Sequence, residues 1–119
     1  MNGISAYQEN KVTTQSRGQL IVLLYEGAIK YLRRVVEEME AGNQEAKARY
    51  FNKAIDVLHE LNVTLDMERG GQIATSLRGL YVFMINQLNQ ANIKKDAQAV
   101  RRIIALLEQL NEGWKSVAT

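Results

Sequence analysis

A chain of 119 residues, 46% of them apolar, has room for one core and one domain, and carries too much apolar content for a disordered tail. The absence of Cys excludes disulfides, thiolate metal sites and thiol nucleophiles, and a net charge of +2 from nearly balanced signs leaves no global field to steer the protein toward nucleic acid or anionic lipid. The absence of Pro removes the commonest obstacle to long helices.

Residues 1–15 are mainly polar, with Ile4, Tyr7 and Val12 as apolar exceptions. The segment is too sparse to form a core layer and is expected to be disordered or loosely attached to the rest. Met1 to Glu9 has no basic stretch followed by an apolar run, so no signal peptide is expected. The longest apolar run, Leu20 to Tyr25, is ended by Glu26, far short of the about 20 residues a membrane span needs. A cytoplasmic location follows as the default expectation.

From residue 16 to 119 four segments with helical periodicity are separated by short breaks. The first opens on a capping box, Ser16 to Gln19, and runs to Ala41, where Gly42 supplies the left-handed residue that ends helices. Asn43 is the expected cap of the second, whose stripe is Phe51, Ala54, Leu58, Leu61 and Leu65. Gly70-Gly71 breaks the chain, and the third helix follows with Ile73, Leu77, Leu80, Met84, Leu88 and Ala91 on one face. Asp96 caps the fourth, with Val100, Ile103, Leu107, Leu110 and Trp114 as its stripe. Connections this short cannot cross the length of a bundle. The expected fold is therefore all-α, an antiparallel up-down-up-down four-helix bundle with a loosely attached N-terminal segment.

Catalytic and metal chemistry find no footing in these residues. A di-iron carboxylate bundle needs two acid-x-x-His motifs, whereas the chain has a single His, in Asp56-Val57-Leu58-His59, and no carboxylate from Gln72 to Asn92. His59-Glu60 begins like a zinc-protease motif but lacks the second His. No imidazole is placed to activate a Ser or Thr, and Gly70-Gly71 follows a helix without a phosphate-binding Lys after it. The basic doublets Arg33-Arg34, Lys94-Lys95 and Arg101-Arg102 sit on separate elements among acids and read as solvated faces. No enzyme, cofactor, metal or nucleic-acid site is expected.

Apolar surface, by contrast, is in surplus. The first helix carries one stripe of Leu20, Leu24, Ala28, Tyr31 and Val35, and a second of Ile21, Tyr25, Ile29, Leu32 and Val36 about 100° round from it. Tyr81, Val82, Phe83 and Ile85 widen the third helix, and Tyr50, Ile55, Val57 and Val63 the second. Two readings stay open at this point: wide core faces, or a groove that accepts amphipathic helices from a partner. A homo-oligomeric structural bundle, with the second stripe of the first helix as subunit interface, is the alternative function.

Ala6-Tyr7-Gln8-Glu9-Asn10-Lys11-Val12-Thr13-Thr14 and Leu20-Ile21-Val22-Leu23-Leu24-Tyr25-Glu26-Gly27-Ala28 resemble the opening of the FliS family, the flagellin-specific export chaperones. Lys53-Ala54-Ile55, Glu60-Leu61-Asn62, Leu65-Asp66, Gly70-Gly71-Gln72-Ile73-Ala74, Leu80-Tyr81, Leu88-Asn89-Gln90-Ala91-Asn92 and Trp114 are similar to that family in order and spacing. Arg17 departs from it, standing where the family usually has Pro after the cap. That departure touches only a positional preference.

The resemblance implies a cytoplasmic chaperone that binds the disordered C-terminal segment of flagellin, prevents premature polymerisation and assists delivery to the flagellar type III export apparatus. The flagellar export gate and other flagellar regulators are further implied partners. No membrane insertion is expected, and the state is a monomer or weak dimer. Combined with the apolar surplus, it nominates Leu24, Tyr25, Ile55, Leu58, Leu65 and Tyr81 as flagellin-binding residues on helices one to three. Tyr7, with Ile4 and Val12, is nominated as part of a segment, residues 1–15, that covers the groove until flagellin displaces it.

Overall fold

The computed structural model describes residues 14–117, which form four helices: α1 (Thr14–Ala41), α2 (Gln44–Val63), α3 (Met67–Lys94) and α4 (Ala97–Val117). α1 packs closely along α2 and α4, and α3 closes the ring against the same two at wider spacing. The direction of each helix is read from its cross-links. Arg33 and Arg101 reach Glu108 and Glu40 across the α1–α4 seam, so rising numbers on one helix meet falling numbers on the other. On the α2–α3 seam Arg78 Nε donates to Asn62 Oδ1 at 3.2 Å. This is the expected antiparallel up-down-up-down bundle.

The ends of the helices follow local chemistry. At Ala41 the chain turns through Gly42 at φ 77°. The Asn43 amide then donates to Glu38 O at 2.9 Å and the Gly42 amide to Met39 O at 3.3 Å, a Schellman closure that satisfies two of the last carbonyls. The end of α3 repeats it with Lys95 at φ 56°, where a side chain must tolerate the left-handed conformation that Gly42 enters freely. Asp96 caps α4 as expected, its Oδ1 accepting from the Ala99 amide at 3.0 Å.

Three boundaries differ from expectation. α1 starts at Thr14, so Ser16 lies inside the helix and is not its cap. Asn43 precedes α2 but makes no side-chain cap bond; its Nδ2 donates back to Glu38 Oε1 at 2.8 Å instead, and that bond is the first cause of a Glu38 carboxyl held below its ordinary range, ahead of Arg34. α2 ends at Val63, which leaves Leu65 in the loop. Asp66 then caps α3 by accepting the Arg69 amide at 3.0 Å, so α3 starts at Met67, ahead of the Gly70-Gly71 break after which it was expected.

The core is one cluster in the middle of the ring. α1 contributes Tyr25, Ala28, Ile29, Leu32, Val35 and Val36, every one buried. Members of both predicted stripes therefore face the same core, because α1 meets α2 on one side and α4 on the other. This bears on the alternative function: of the stripe read as a subunit interface, Tyr25, Ile29, Leu32 and Val36 are enclosed by their own chain, and Ile21 alone keeps part of its surface. On α3 the buried line is Ala74, Tyr81, Met84, Leu88 and Ala91. Ile73, expected in the core, is 73% exposed.

Candidate functional site

At one end of the bundle the first turns of α1, the α2–α3 loop, the start of α3 and the last turns of α4 surround a cavity of about 180 Å³. Its apolar wall comes from Ile21, Leu65, Ile73, Ala74, Leu77 and Trp114, with Tyr81 among them. The groove exists because α3 does not enter the ring straight. A first turn capped by Asp66 is followed by Gly71 at φ 51°, ψ −124°, after which the helix resumes. Only glycine adopts that backbone readily. Position 70 is equally constrained, since a Cβ there would stand 2.7 Å from Ala74 Cβ. The Thr75 hydroxyl donates to Gly71 O at 3.1 Å, giving the carbonyl at the kink a partner.

Tyr81 and Trp114 of this wall form an aromatic cluster with Tyr25, which lies behind them. Tyr25 and Tyr81 sit edge to face with centroids 6.3 Å apart, and Trp114 lies 6.5 Å from Tyr25. The two phenol oxygens are 2.6 Å apart and buried, linking α1 to α3 diagonally through the core. Each hydroxyl is the other's means of satisfying a buried polar group. Burial raises both phenols above their ordinary pKa, and for Tyr81 the hydrogen bond with Tyr25 adds to the rise. Both stay neutral at physiological pH.

The polar part of the rim comes from Arg17, Thr64 and Asp66. Asp66 lies 3.8 Å from Arg17 across the opening and 3.8 Å from Arg69; these pairs are partly exposed and contribute little to stability.

The predicted binding residues divide between groove and core. Leu65 and Tyr81 line the groove, Tyr81 being 1% exposed. Tyr25 lies behind Tyr81, and Leu58 is deep in the core; both are fully buried and present no surface. Leu24 and Ile55 are half-buried against the core and do not line this groove. Tyr7 lies outside the described residues, as does most of the proposed N-terminal cover.

Sequence reasoning counted Val82 and Phe83 in the apolar surplus of the third helix but nominated neither for binding, and it passed over Ile93. Val82, Phe83 and Ile93 are 47%, 51% and 81% exposed. Between them stand Asn86, Asn89 and Gln90, and no charged residue occurs from Gly79 to Ile93. That uncharged run was legible, but periodicity alone does not say which way it faces. The outer faces of α1 and α4 differ in carrying Glu26, Lys30, Arg33 and Glu37, and Arg101, Arg102 and Glu108.

Among the described residues no three His, Cys, Asp or Glu side chains lie together where they would hold a metal ion, and no helix is long and apolar enough to cross a membrane. His59 is exposed on α2. The arrangement suits the binding of apolar side chains.

The family model for the flagellar protein FliS matches residues 1–119. The chain belongs to the FliS family. Among its relatives, the flagellar secretion chaperone FliS of Salmonella typhimurium is 40% identical over 98% of this chain and 90% of its own length. The protein of that name from Bacillus subtilis is 32% identical over 96% of this chain and 84% of its own. The flagellar secretion chaperone FliSB of Pseudomonas aeruginosa is 32% identical over 99% and 97%. Similarity over nearly the full length of both partners makes this a match of whole bundles, beyond any shared helix motif.

Proposed function

We propose that this FliS-family chain is a cytoplasmic chaperone that holds the C-terminal segment of flagellin, prevents its premature polymerisation and assists its delivery to the flagellar type III export apparatus. It works by binding alone and catalyses nothing. The observation that carries this reading is the apolar surface of α3: an open groove beside Ile73 at its start, and an uncharged outer face with Val82, Phe83 and Ile93 further along. A disordered segment that folds into amphipathic helices gains affinity by burying its apolar stripe on such surfaces. The relatives' shared name, flagellar secretion chaperone, supports a flagellar client.

Within this reading Leu65 and Tyr81 serve the groove directly, while Tyr25 and Leu58 hold its wall in place from behind. Leu24 and Ile55 belong to the client surface only if the client extends over their half-buried flanks. The N-terminal segment, residues 1–15, precedes Arg17 and Ile21, which line the groove. The segment is therefore suited to cover it in the absence of client, with Tyr7 as the anchoring side chain.

Calorimetry with a peptide from the C-terminal region of flagellin tests the proposal. Binding is expected near one-to-one, with a negative heat-capacity change and a gain in helical circular dichroism. Ile73→Asp and Phe83→Asp should each weaken it about tenfold or more, ~1.4 kcal/mol. A folded protein that binds no such peptide overturns the reading. Deleting residues 1–15 should leave the bundle folded and tighten or speed client binding, and unchanged kinetics would remove the cover alone.

A further inference from the structure

The α1–α2 seam carries a second feature, distinct from the apolar surface of α3. Tyr31 and Tyr50 are half-buried with ring centroids 6.4 Å apart. The Arg34 guanidinium stands 4.8 Å and that of Arg49 6.0 Å from the Tyr50 ring, and Lys30 and Lys53 each hold an ammonium 5.6 Å from the Tyr31 ring. All four cations are exposed. Each helix supplies two of them at i and i+4, about 6 Å apart along the axis, so the pairs form a small grid with the rings as its floor.

Like charges at i and i+4 repel. Arg34 is paired with Glu37 at 3.3 Å and Glu38 at 3.0 Å, and Glu38 also attracts Arg49 at longer range. Among the described residues no carboxylate lies within 4 Å of Lys30, Arg49 or Lys53. Each ring attracts the cations beside it, and all four remain open to an incoming anion.

We propose that Lys30, Arg34, Arg49 and Lys53, set around Tyr31 and Tyr50, form a docking surface for a short acidic segment of a partner protein. Carboxylates of the segment pair with Lys30, Arg49 and Lys53, which make no close ion pair among the described residues, and an apolar side chain between them rests on the tyrosines. A protein segment fits better than a nucleic acid or a membrane. The patch is one grid wide, with Glu37 and Glu38 on one side and Asp56 on the other, and a phosphate backbone running across it would meet these carboxylates. The whole chain carries only +2, far from the continuous basic stripe that polyanions select. α1 is also the helix diagonal to α3, so the surface remains open while α3 is occupied.

Fluorescence anisotropy on the full chain tests this with a labelled peptide of alternating Glu, Leu and Phe. The expected result is binding that weakens steeply with added salt, and weakens about tenfold in the double variant Arg49→Glu/Lys53→Glu. The milder Arg49→Gln/Lys53→Gln should lose a smaller factor, so a misfolded reversal variant leaves the question decidable. Both variants should keep their helical spectrum and their affinity for the flagellin peptide. The proposal is overturned if the acidic peptide does not bind, if binding survives both substitutions, or if single-stranded RNA or phosphatidylglycerol vesicles bind more tightly than the peptide through the same residues. No flagellin is needed for the assay, so its failure leaves the client reading intact.

Discussion

α1 and α3 carry similar apolar content and meet opposite fates. α1 is flanked closely by two helices, and its broad apolar band from Tyr25 to Val36 is enclosed. α3 touches the same two neighbours at wider spacing, and leaves Ile73, Val82, Phe83 and Ile93 in solvent. Charge separates them as well. From Glu26 to Glu40 α1 turns Glu and Lys/Arg outward, with Leu23 exposed before them. From Gly79 to Ile93 α3 turns amides and apolar groups outward and keeps Glu68, Arg69, Arg78 and Lys94 outside that stretch. Apolar surplus in a bundle helix therefore has two meanings. Where charge fills the rest of the helix the surplus is core; where the rest is neutral, part of it is left for a partner.

The sharpest way to break this comparison is to truncate one residue of each kind. Leu32→Ala, at a fully buried site on α1, should cost about 2–5 kcal/mol in urea unfolding. A loss under about 1 kcal/mol would mean that α1 is not the central helix of the core. Next comes the link between the two helices. Tyr25→Phe or Tyr81→Phe alone strands one buried hydroxyl and should cost about 1–3 kcal/mol, while the double variant should cost less than the sum of the two singles. Strict additivity would show that the hydroxyls are not coupled.

The same pair sets a pH dependence. Both phenols have folded pKa values above the ordinary 10.0, so the native state holds these protons more tightly than the unfolded chain. Their contribution is complete below about pH 10 and is lost as pH rises toward the folded values. Unfolding midpoints should therefore fall above about pH 10, and the double Phe variant should show a shallower fall. The kink comes next: Gly71→Ala forces a side chain into a glycine backbone and should cost about 1–3 kcal/mol, with a loss of client affinity that Leu32→Ala does not share at temperatures where both remain folded. The smallest effect belongs to the outer face of α3. Phe83→Ala and Ile93→Ala should change stability by no more than about 0.5 kcal/mol while weakening client binding, and a large stability loss would place them in the core.

Much of the bundle was legible from the residues. Absence of Pro, the 3.6-residue spacing of Leu and Ile, Gly42 at the end of α1 and Asp96 at the start of α4 are local signals, and local hydrogen bonding obeyed them. Asn43 shows where such signals fail: its amide had two partners within reach and chose Glu38 over the helix it precedes. The candidate site was half legible, since the residues that line it were visible as apolar surplus but not as groove or core.

Composition and periodicity by themselves determined an all-helical chain of four antiparallel segments with more apolar surface than one stripe per helix requires, because these properties depend on neighbours along the chain. Only the tertiary structure decided how each helix was rotated. On α3 the lines through Ile73 and Leu80 or through Ala74 and Tyr81 fit the same periodicity, and side-chain hydrophobicity favours the first. The second is buried, because a kink at Gly71 turns the start of the helix and because the Tyr81 hydroxyl finds Tyr25, a partner 56 residues away that no local pattern contains.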